Sequence, residues 1–259
     1  MLFVVEKKDK REQYIEQGLI KNGYLTASFY EASFFIGHTK IYLKSISCVL
    51  DKEAILNIES DSVVFARDIS ADAAKLLSAK NIKYYDYNAD EAFLVKNAEL
   101  TAEGALSYLI TNTEDSLNDI KALVLGYGRV GKAVTASLKR NNVSVCVATS
   151  DATEYALAQD VADKVFNLDN YTDELKNFTA IINTIPAKIL KGEILSLINK
   201  ECFILDLASK PGGVDYEYAA QLGLNVLHAL GVPGSVAPKA AASYIMESIV
   251  KSLNIKYEG

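Results

Sequence analysis

The stretch Leu123-Val124-Leu125-Gly126-Tyr127-Gly128-Arg129-Val130-Gly131 constrains this chain more than any other. An apolar run stops at one glycine, two more follow two and five positions on, and residues 130–141 then carry helical spacing. A strand that turns straight into a helix at this glycine spacing implies a βαβ unit, hence parallel strands covered by helices. The first glycine makes the tight turn and the second lets backbone amides approach a pyrophosphate. The third lets the helix pack close to the strand with its positive end toward the phosphates. A plain strand-to-helix turn needs the same three glycines, but not the second apolar strand, VSVCVA, that follows here at βαβ distance.

The rest of the chain repeats this alternation of short apolar runs and longer amphipathic stretches. After the glycine turn the strand candidates are KVFN, TAIINTIP, CFILDLAS and NVLHAL, which with ALVLG and VSVCVA make six strands of parallel type. Between them, residues 154–159, 191–199 and 216–222 read as helices. In the first part the strand candidates are LFVV, the run at 47–50, SVVFA and IKYYDYN, with helices at 11–22 and 71–80. The reading is an α/β chain: a doubly wound parallel-sheet Rossmann domain plus a smaller N-terminal α/β, flavodoxin-like domain. The smaller domain takes residues 1–100 and is completed by the C-terminal helix 238–257. The Rossmann domain takes 101–237, entered through a linker helix over 101–120 with Thr101 as its N-cap. The terminal helix, whose Ala242, Ile245, Ile249 and Leu253 share a face, serves either that return to the first domain or a homo-oligomer contact.

With 259 residues there is enough chain for two modest cores. A formal charge of −6 and a pI near 5.1 give no footprint for nucleic acid or an anionic membrane, so a small-molecule ligand is expected. The opening apolar residues are too few for a signal-peptide core or a spanning helix, which reads as a cytosolic protein with no membrane partner. Cys48, Cys146 and Cys202 lie far apart, the last two within apolar runs, so neither a metal site nor a disulfide framework is expected.

The candidate cofactor residues are Gly126, Tyr127, Gly128, Arg129, Val130 and Gly131 on the turn, Thr149 and Ser150 past the second strand, and Asn183, Thr184, Ile185 and Pro186 past the fourth. No carboxylate ends the second strand. Asp151, three residues past it, is either a helix cap or a ribose contact. Thr149, Ser150 and Arg129 would tolerate a 2′-phosphate, so the expected cofactor is NADP, with NAD as the alternative. Asn183 and Thr184 either bind the cofactor or form a polar Asx turn. Ser209, Lys210, Gly212 and Gly213 offer a cation and backbone amides suited to a carboxylate, or are a plain glycine-rich loop. Lys239 opens a helix, where a cation opposes the dipole and needs another use, so it is the preferred anion binder. His228, at a strand end, reads as packing ahead of catalysis; His38 has no assignment, and Glu103 is read as a cleft carboxylate or an ordinary helix-start acid.

TAEGA (101–105), LGYGRVG (125–131), INTIP (182–186), LDLASKPGG (205–213) and GVPGSVAPKAA (231–241) resemble, in order and spacing, the signature stretches of the dipicolinate synthase A-subunit family. The resemblance covers about residues 98–255. It implies an NAD(P)-binding oxidoreductase subunit with the layout of 2-hydroxy-acid dehydrogenases. With the flavoprotein-like B subunit of dipicolinate synthase, such a protein would make dipicolinate in cells that form endospores. Its substrate would be a dihydropyridine dicarboxylate formed from 4-hydroxytetrahydrodipicolinate by loss of water. Two departures stand out: Lys210 where the family often has arginine, and Thr149 and Ser150 where it often has a basic residue. The competing readings are a non-catalytic nucleotide-binding scaffold for the flavoprotein and a stand-alone 2-hydroxy-acid dehydrogenase.

Overall fold

The computed structural model describes residues 1–258 and contains two compact units. One is residues 1–97 together with the chain from Ala237 onward; the other is Ala98–Val236.

The first unit runs β1 (Leu2–Val5), α1 (Lys10–Lys21), β2 (Leu25–Ala27), β3 (Lys40–Leu43), α2 (Lys52–Leu56), β4 (Val63–Ala66), α3 (Ala71–Ala79) and β5 (Lys83–Asp86), leading into α4 (Glu91–Asn112). Its sheet has the order β2-β1-β3-β4-β5, every pair parallel, which is the flavodoxin-like arrangement expected. Successive strand residues face opposite layers: Phe3, Val5, Ile41 and Leu43 one way, Leu2, Val4, Tyr42 and Val64 the other.

The second unit runs β6 (Lys121–Leu125), α5 (Arg129–Arg140), β7 (Ser144–Thr149), α6 (Ala152–Gln159), β8 (Lys164–Asn167), β9 (Ala180–Asn183), α7 (Glu193–Ser196), β10 (Phe203–Asp206), α8 (Tyr216–Gln221), β11 (Asn225–His228) and α9 (Val232–Val236). Its six strands order as β11-β10-β9-β6-β7-β8, all parallel, so the sheet is doubly wound with its topological switch between β6 and β9. The four inner strands, β6, β7, β9 and β10, are largely buried and read as nearly unbroken apolar runs, which is why they are visible in the sequence; the edge strands β8 and β11 are partly exposed.

The chain ends in α10 (Pro238–Leu253), where Ala242, Ile245, Met246 and Ile249 recur at helical spacing and are buried with Ile15 and Leu19 of α1 and with β1, β3 and β4.

Three expectations are corrected. The run at 47–50 is not a strand; the strand of that region is β3, whose Lys40 disguised it. Lys40 is buried along its stem while its ammonium pairs with Glu59. The edge strand β2 is three residues long and partly exposed, too short to read. Thr101 caps nothing: it lies buried inside α4, which begins ten residues earlier at Glu91 and ends at Asn112.

Candidate functional site

Buried polar side chains are few in this fold, and in the second sheet they fall at one place. Thr149, Asn183 and Asp206 are the last residues of β7, β9 and β10, and each is almost fully buried. Polar groups buried at carboxyl ends of parallel strands need partners, and following those partners builds the site.

Gly126 leaves β6 donating its N–H to Ala148 (2.8 Å) at a φ of +88°, a conformation that favours glycine. A Cβ there would stand 2.7 Å from Thr184 Oγ1 and 2.8 Å from Ile185 Cγ1. Thr184 is itself fixed, its hydroxyl donating to the Leu125 carbonyl (2.8 Å). Gly131 presses on the same turn, since a Cβ on it would lie 2.2 Å from the Gly126 carbonyl oxygen. Gly128 is different. It is the N-cap of α5 and carries no capping side chain, and a Cβ on it would meet only Glu154 Oε1, at 3.6 Å. Two glycines close the turn and the third puts no side chain over the start of the helix, a cradle with the form of a dinucleotide pyrophosphate site.

Glu154, on the first turn of α6, reaches back to this loop. Its Oε2 accepts from the Tyr127 N–H (3.1 Å) and from the Thr149 hydroxyl (2.7 Å). Asp151 takes the first of its two roles, capping α6 by accepting from the Glu154 N–H (2.8 Å). Ser150 is exposed at the strand tip, beside a hollow of about 480 Å³ that also has Thr149, Asp151, Tyr155 and Asn170 in its wall. Glu154 escaped the sequence reading because its spacing from Asp151 resembles an ordinary helix start.

Beneath the neighbouring loops Asp206 is fully buried and accepts four hydrogen bonds: from Asn183 Nδ2 (2.9 Å) and the Ala208 N–H (3.0 Å) on one oxygen, from the Gly213 N–H (2.7 Å) and the Tyr216 hydroxyl (2.6 Å) on the other. Those four donors take the place of the water that a buried carboxylate gives up. Burial, then the bond to Asp206 and its charge, push the Tyr216 phenol well above its usual range. His228 stacks on Tyr216 (centroids 5.1 Å apart) and its Nε2 donates to the Ala208 carbonyl (2.9 Å), a strand-end packing role.

The network shows what several of the residues singled out in the sequence hold in this fold. The Asn183 amide is fully buried and spent on Asp206 and on both backbone groups of Ile185, so it forms the floor of the loop instead of facing a ligand. Thr184 and Ile185 pack over Gly126, and Tyr127 buries its ring and gives its amide to Glu154. The amides of Gly212 and Gly213 are donated to the Ser209 carbonyl and to Asp206. Arg129, Pro186, Ser209 and Lys210 are exposed, and Val130 is partly so. Lys239 is exposed on the first turn of α10 and belongs to the first unit, whereas Ser209 and Lys210 belong to the second. Glu103 is exposed on α4, and His38 lies edge-on to Phe35 in the first unit. Among the described residues no group of three or more His, Cys, Asp or Glu is arranged to hold a metal, and no helix is long and apolar enough to cross a membrane.

No family model matches the chain. A curated relative, the A subunit of dipicolinate synthase from Bacillus subtilis (strain 168), is 33% identical over 159 residues, 61% of this chain. The match spans about half of that protein's length, 54%. Among solved structures, the same subunit of the Bacillus subtilis synthase superposes with a TM-score of 0.83 at 23% identity, covering 98% of this chain and 96% of that one. Its counterpart from Bacillus halodurans gives a TM-score of 0.82 at 26% identity, with 98% of each chain covered. A transhydrogenase from Sinorhizobium meliloti shares the fold, with a TM-score of 0.74 at 14% identity over 97% of this chain and 92% of that one. The likeness to the dipicolinate synthase A subunit carried by the signature stretches is thus found again in whole-chain comparison. The second unit thus shares its fold with dehydrogenase-like proteins and carries a glycine turn at its switch point.

Proposed function

We propose that this chain is the NAD(P)-dependent oxidoreductase subunit of a dipicolinate synthase, oxidising dihydrodipicolinate to dipicolinate. The observation that carries this reading is the uncovered glycine cradle at the switch point of the second sheet. It lies within the part of the chain that resembles the dipicolinate synthase A subunit. With its pyrophosphate in that cradle, a nicotinamide dinucleotide would supply two-electron oxidation, taking a hydride from the dihydropyridine while a proton goes to solvent and the substrate ring becomes aromatic.

Aromatisation supplies driving force, so the protein's own task is to orient the substrate and neutralise its two carboxylates, with little need for a strong base. Lys239 and Lys210 are the residues we assign to the carboxylates, with Ser209 beside Lys210. Both lysines act as point charges, a looser grip than the bidentate fork of an arginine. Gly128 and the first-turn amides of Arg129 and Val130 would receive the pyrophosphate. The Asp206 network would hold the loop that carries Ser209 and Lys210 in place, because it fixes that loop at Ala208 and Gly213. The proposal extends to a flavoprotein-like partner, the B subunit of the synthase, and to a cytoplasmic location in a sporulating cell.

The test is dipicolinate formation from enzymatically generated 4-hydroxytetrahydrodipicolinate, followed by absorbance of the aromatic product, with and without the candidate flavoprotein. Turnover should require this chain. Lys239→Ala should lower kcat/KM by about 10- to 100-fold, the scale of one hydrogen-bonded charge contact, with dinucleotide affinity unchanged. Dinucleotide binding with no turnover, even with the partner present, would reduce the protein to a scaffold and refute the proposal.

A further inference from the structure

The geometry points to Glu154 as the residue that selects NAD over NADP, by setting a carboxylate where the 2′-substituent of the adenosine ribose would lie. The inference rests on the dinucleotide reading of the glycine cradle. In such a site the acid that binds the ribose hydroxyls normally ends the second strand. Here that position holds Thr149, whose hydroxyl instead donates to Glu154 Oε2 (2.7 Å), and the same oxygen accepts the Tyr127 N–H inside the glycine turn (3.1 Å). The strand tip and the loop between the first two glycines thus both hold one carboxylate supplied by the next helix. The function of the missing strand-end acid is restored from a different position.

The surroundings favour the same choice. Asp151 stands one helical turn before Glu154, and the hollow beside the strand tip, walled by Thr149, Ser150, Asp151, Tyr155 and Asn170, includes no lysine or arginine among the described residues. Arg129 and Lys132 sit on the cradle and the first turn of α5, where they attract the phosphates common to both dinucleotides. A 2′-hydroxyl can donate to the Glu154 carboxylate, whereas a 2′-phosphate carries up to two further negative charges toward Glu154 and Asp151 with no cation in that wall to meet them. Glu154 has two hydrogen-bond donors already and can accept more, since a carboxylate has about four lone-pair sites.

The experiment is a set of binding titrations that needs no turnover. The purified chain is titrated with NADH, NADPH, ADP-ribose and 2′-phospho-ADP-ribose, at low and at high salt. NADH should bind about threefold to fivefold tighter than NADPH, the upper scale of one charge contact at a partly exposed site, and ADP-ribose should show the same preference over 2′-phospho-ADP-ribose. The gap should narrow as salt screens the repulsion. Glu154→Gln, which keeps the shape and removes the charge, should raise NADPH affinity by a similar factor, with an unchanged melting temperature to exclude misfolding. NADPH binding as tightly as NADH in the unaltered chain, or a ratio untouched by Glu154→Gln, would overturn the assignment and leave the dinucleotide site standing. Failure of all four ligands to bind would overturn both.

Discussion

The two units carry the same kind of sheet, parallel and doubly wound, yet the turns at their switch points are built for opposite purposes. In the second unit β6 runs into Gly126 and the helix that follows has a bare glycine as its N-cap, so no side chain of its own caps the helix start. In the first unit β1 runs into Glu6-Lys7-Lys8-Asp9, and Asp9 and Glu12 close the N-terminus of α1 with a reciprocal capping box. A larger hollow, about 930 Å³, lies at that first switch point, but two of the three lysines in its wall are paired, Lys44 with Glu6 (2.8 Å) and Lys7 with Glu16 (2.9 Å), and Glu6, Asp51 and Glu53 add negative charge to it. Topology makes a crevice in both units, and side-chain chemistry decides which crevice can take an anion.

The largest expected effect comes from collapsing the open turn. Gly131→Ala places a methyl 2.2 Å from the Gly126 carbonyl oxygen and 2.9 Å from its carbon, both backbone atoms that cannot rotate away. We expect loss of measurable NADH binding together with a stability cost of about 1–3 kcal/mol, the range for overpacking a tight contact. Fluorescence titration and urea melts on the same preparation read both. Retained affinity would show that helix and strand can separate here without harm to the cradle.

A subtler change would give the second unit the character of the first. Gly128→Asp installs a capping carboxylate at a position whose φ of −69° suits any residue and whose side chain would meet only Glu154. Aspartate and glycine caps differ by only a few tenths of a kcal/mol, and the repulsion between the new carboxylate and Glu154 at this exposed position costs up to about 1 kcal/mol, so the melting temperature should fall only slightly. Dinucleotide affinity should fall by about two orders of magnitude, because the cap takes the amides and repels the pyrophosphate. A chain that melts normally but no longer binds would separate the helix's stability from its use as an anion site. Unchanged affinity would refute the cradle.

The contrast between the units also explains what the sequence could disclose. The second sheet was legible because its four inner strands are largely buried and read as nearly continuous apolar runs, with local punctuation at Gly126, Pro186 and Gly213. In the first sheet, β3 begins with a buried lysine whose partner, Glu59, is remote in sequence, and β2 is an edge strand of three residues; neither has a pattern to find. The glycine turn was legible for a similar reason, since the requirement for glycine is local. The donor set around Asp206 was not: Asn183, Ala208, Gly213 and Tyr216 converge only through the β9–β10 pairing and the fold of the following loop. One clue was present, a carboxylate ending an otherwise apolar buried strand, and it marks Asp206 as a group that must have partners. Glu154 gave less, because a glutamate three residues after an aspartate cap is what any helix start looks like.

The smallest effect tests the closed turn of the first unit. Asp9 accepts from the Arg11 amide and side chain, and although burial would raise its carboxyl, Arg11's hydrogen bonds and charge outweigh this and bring it down to about 2. A carboxylate depressed in the folded state stabilises fully above its unfolded pKa near 4 and loses that contribution as pH falls toward 2. Asp9→Ala should therefore cost about 1–2 kcal/mol at pH 7, the worth of an N-cap together with its ion pair to the buried Arg11, and the gap between the two proteins should close between pH 4 and pH 2. Urea melts of both across that range would read the gap. Dinucleotide affinity at pH 7 should be the same in both, because this cap serves only its own helix. A drop in affinity on Asp9→Ala would mean that the first switch point also contributes to the ligand, and the division of labour between the two turns would have to be redrawn.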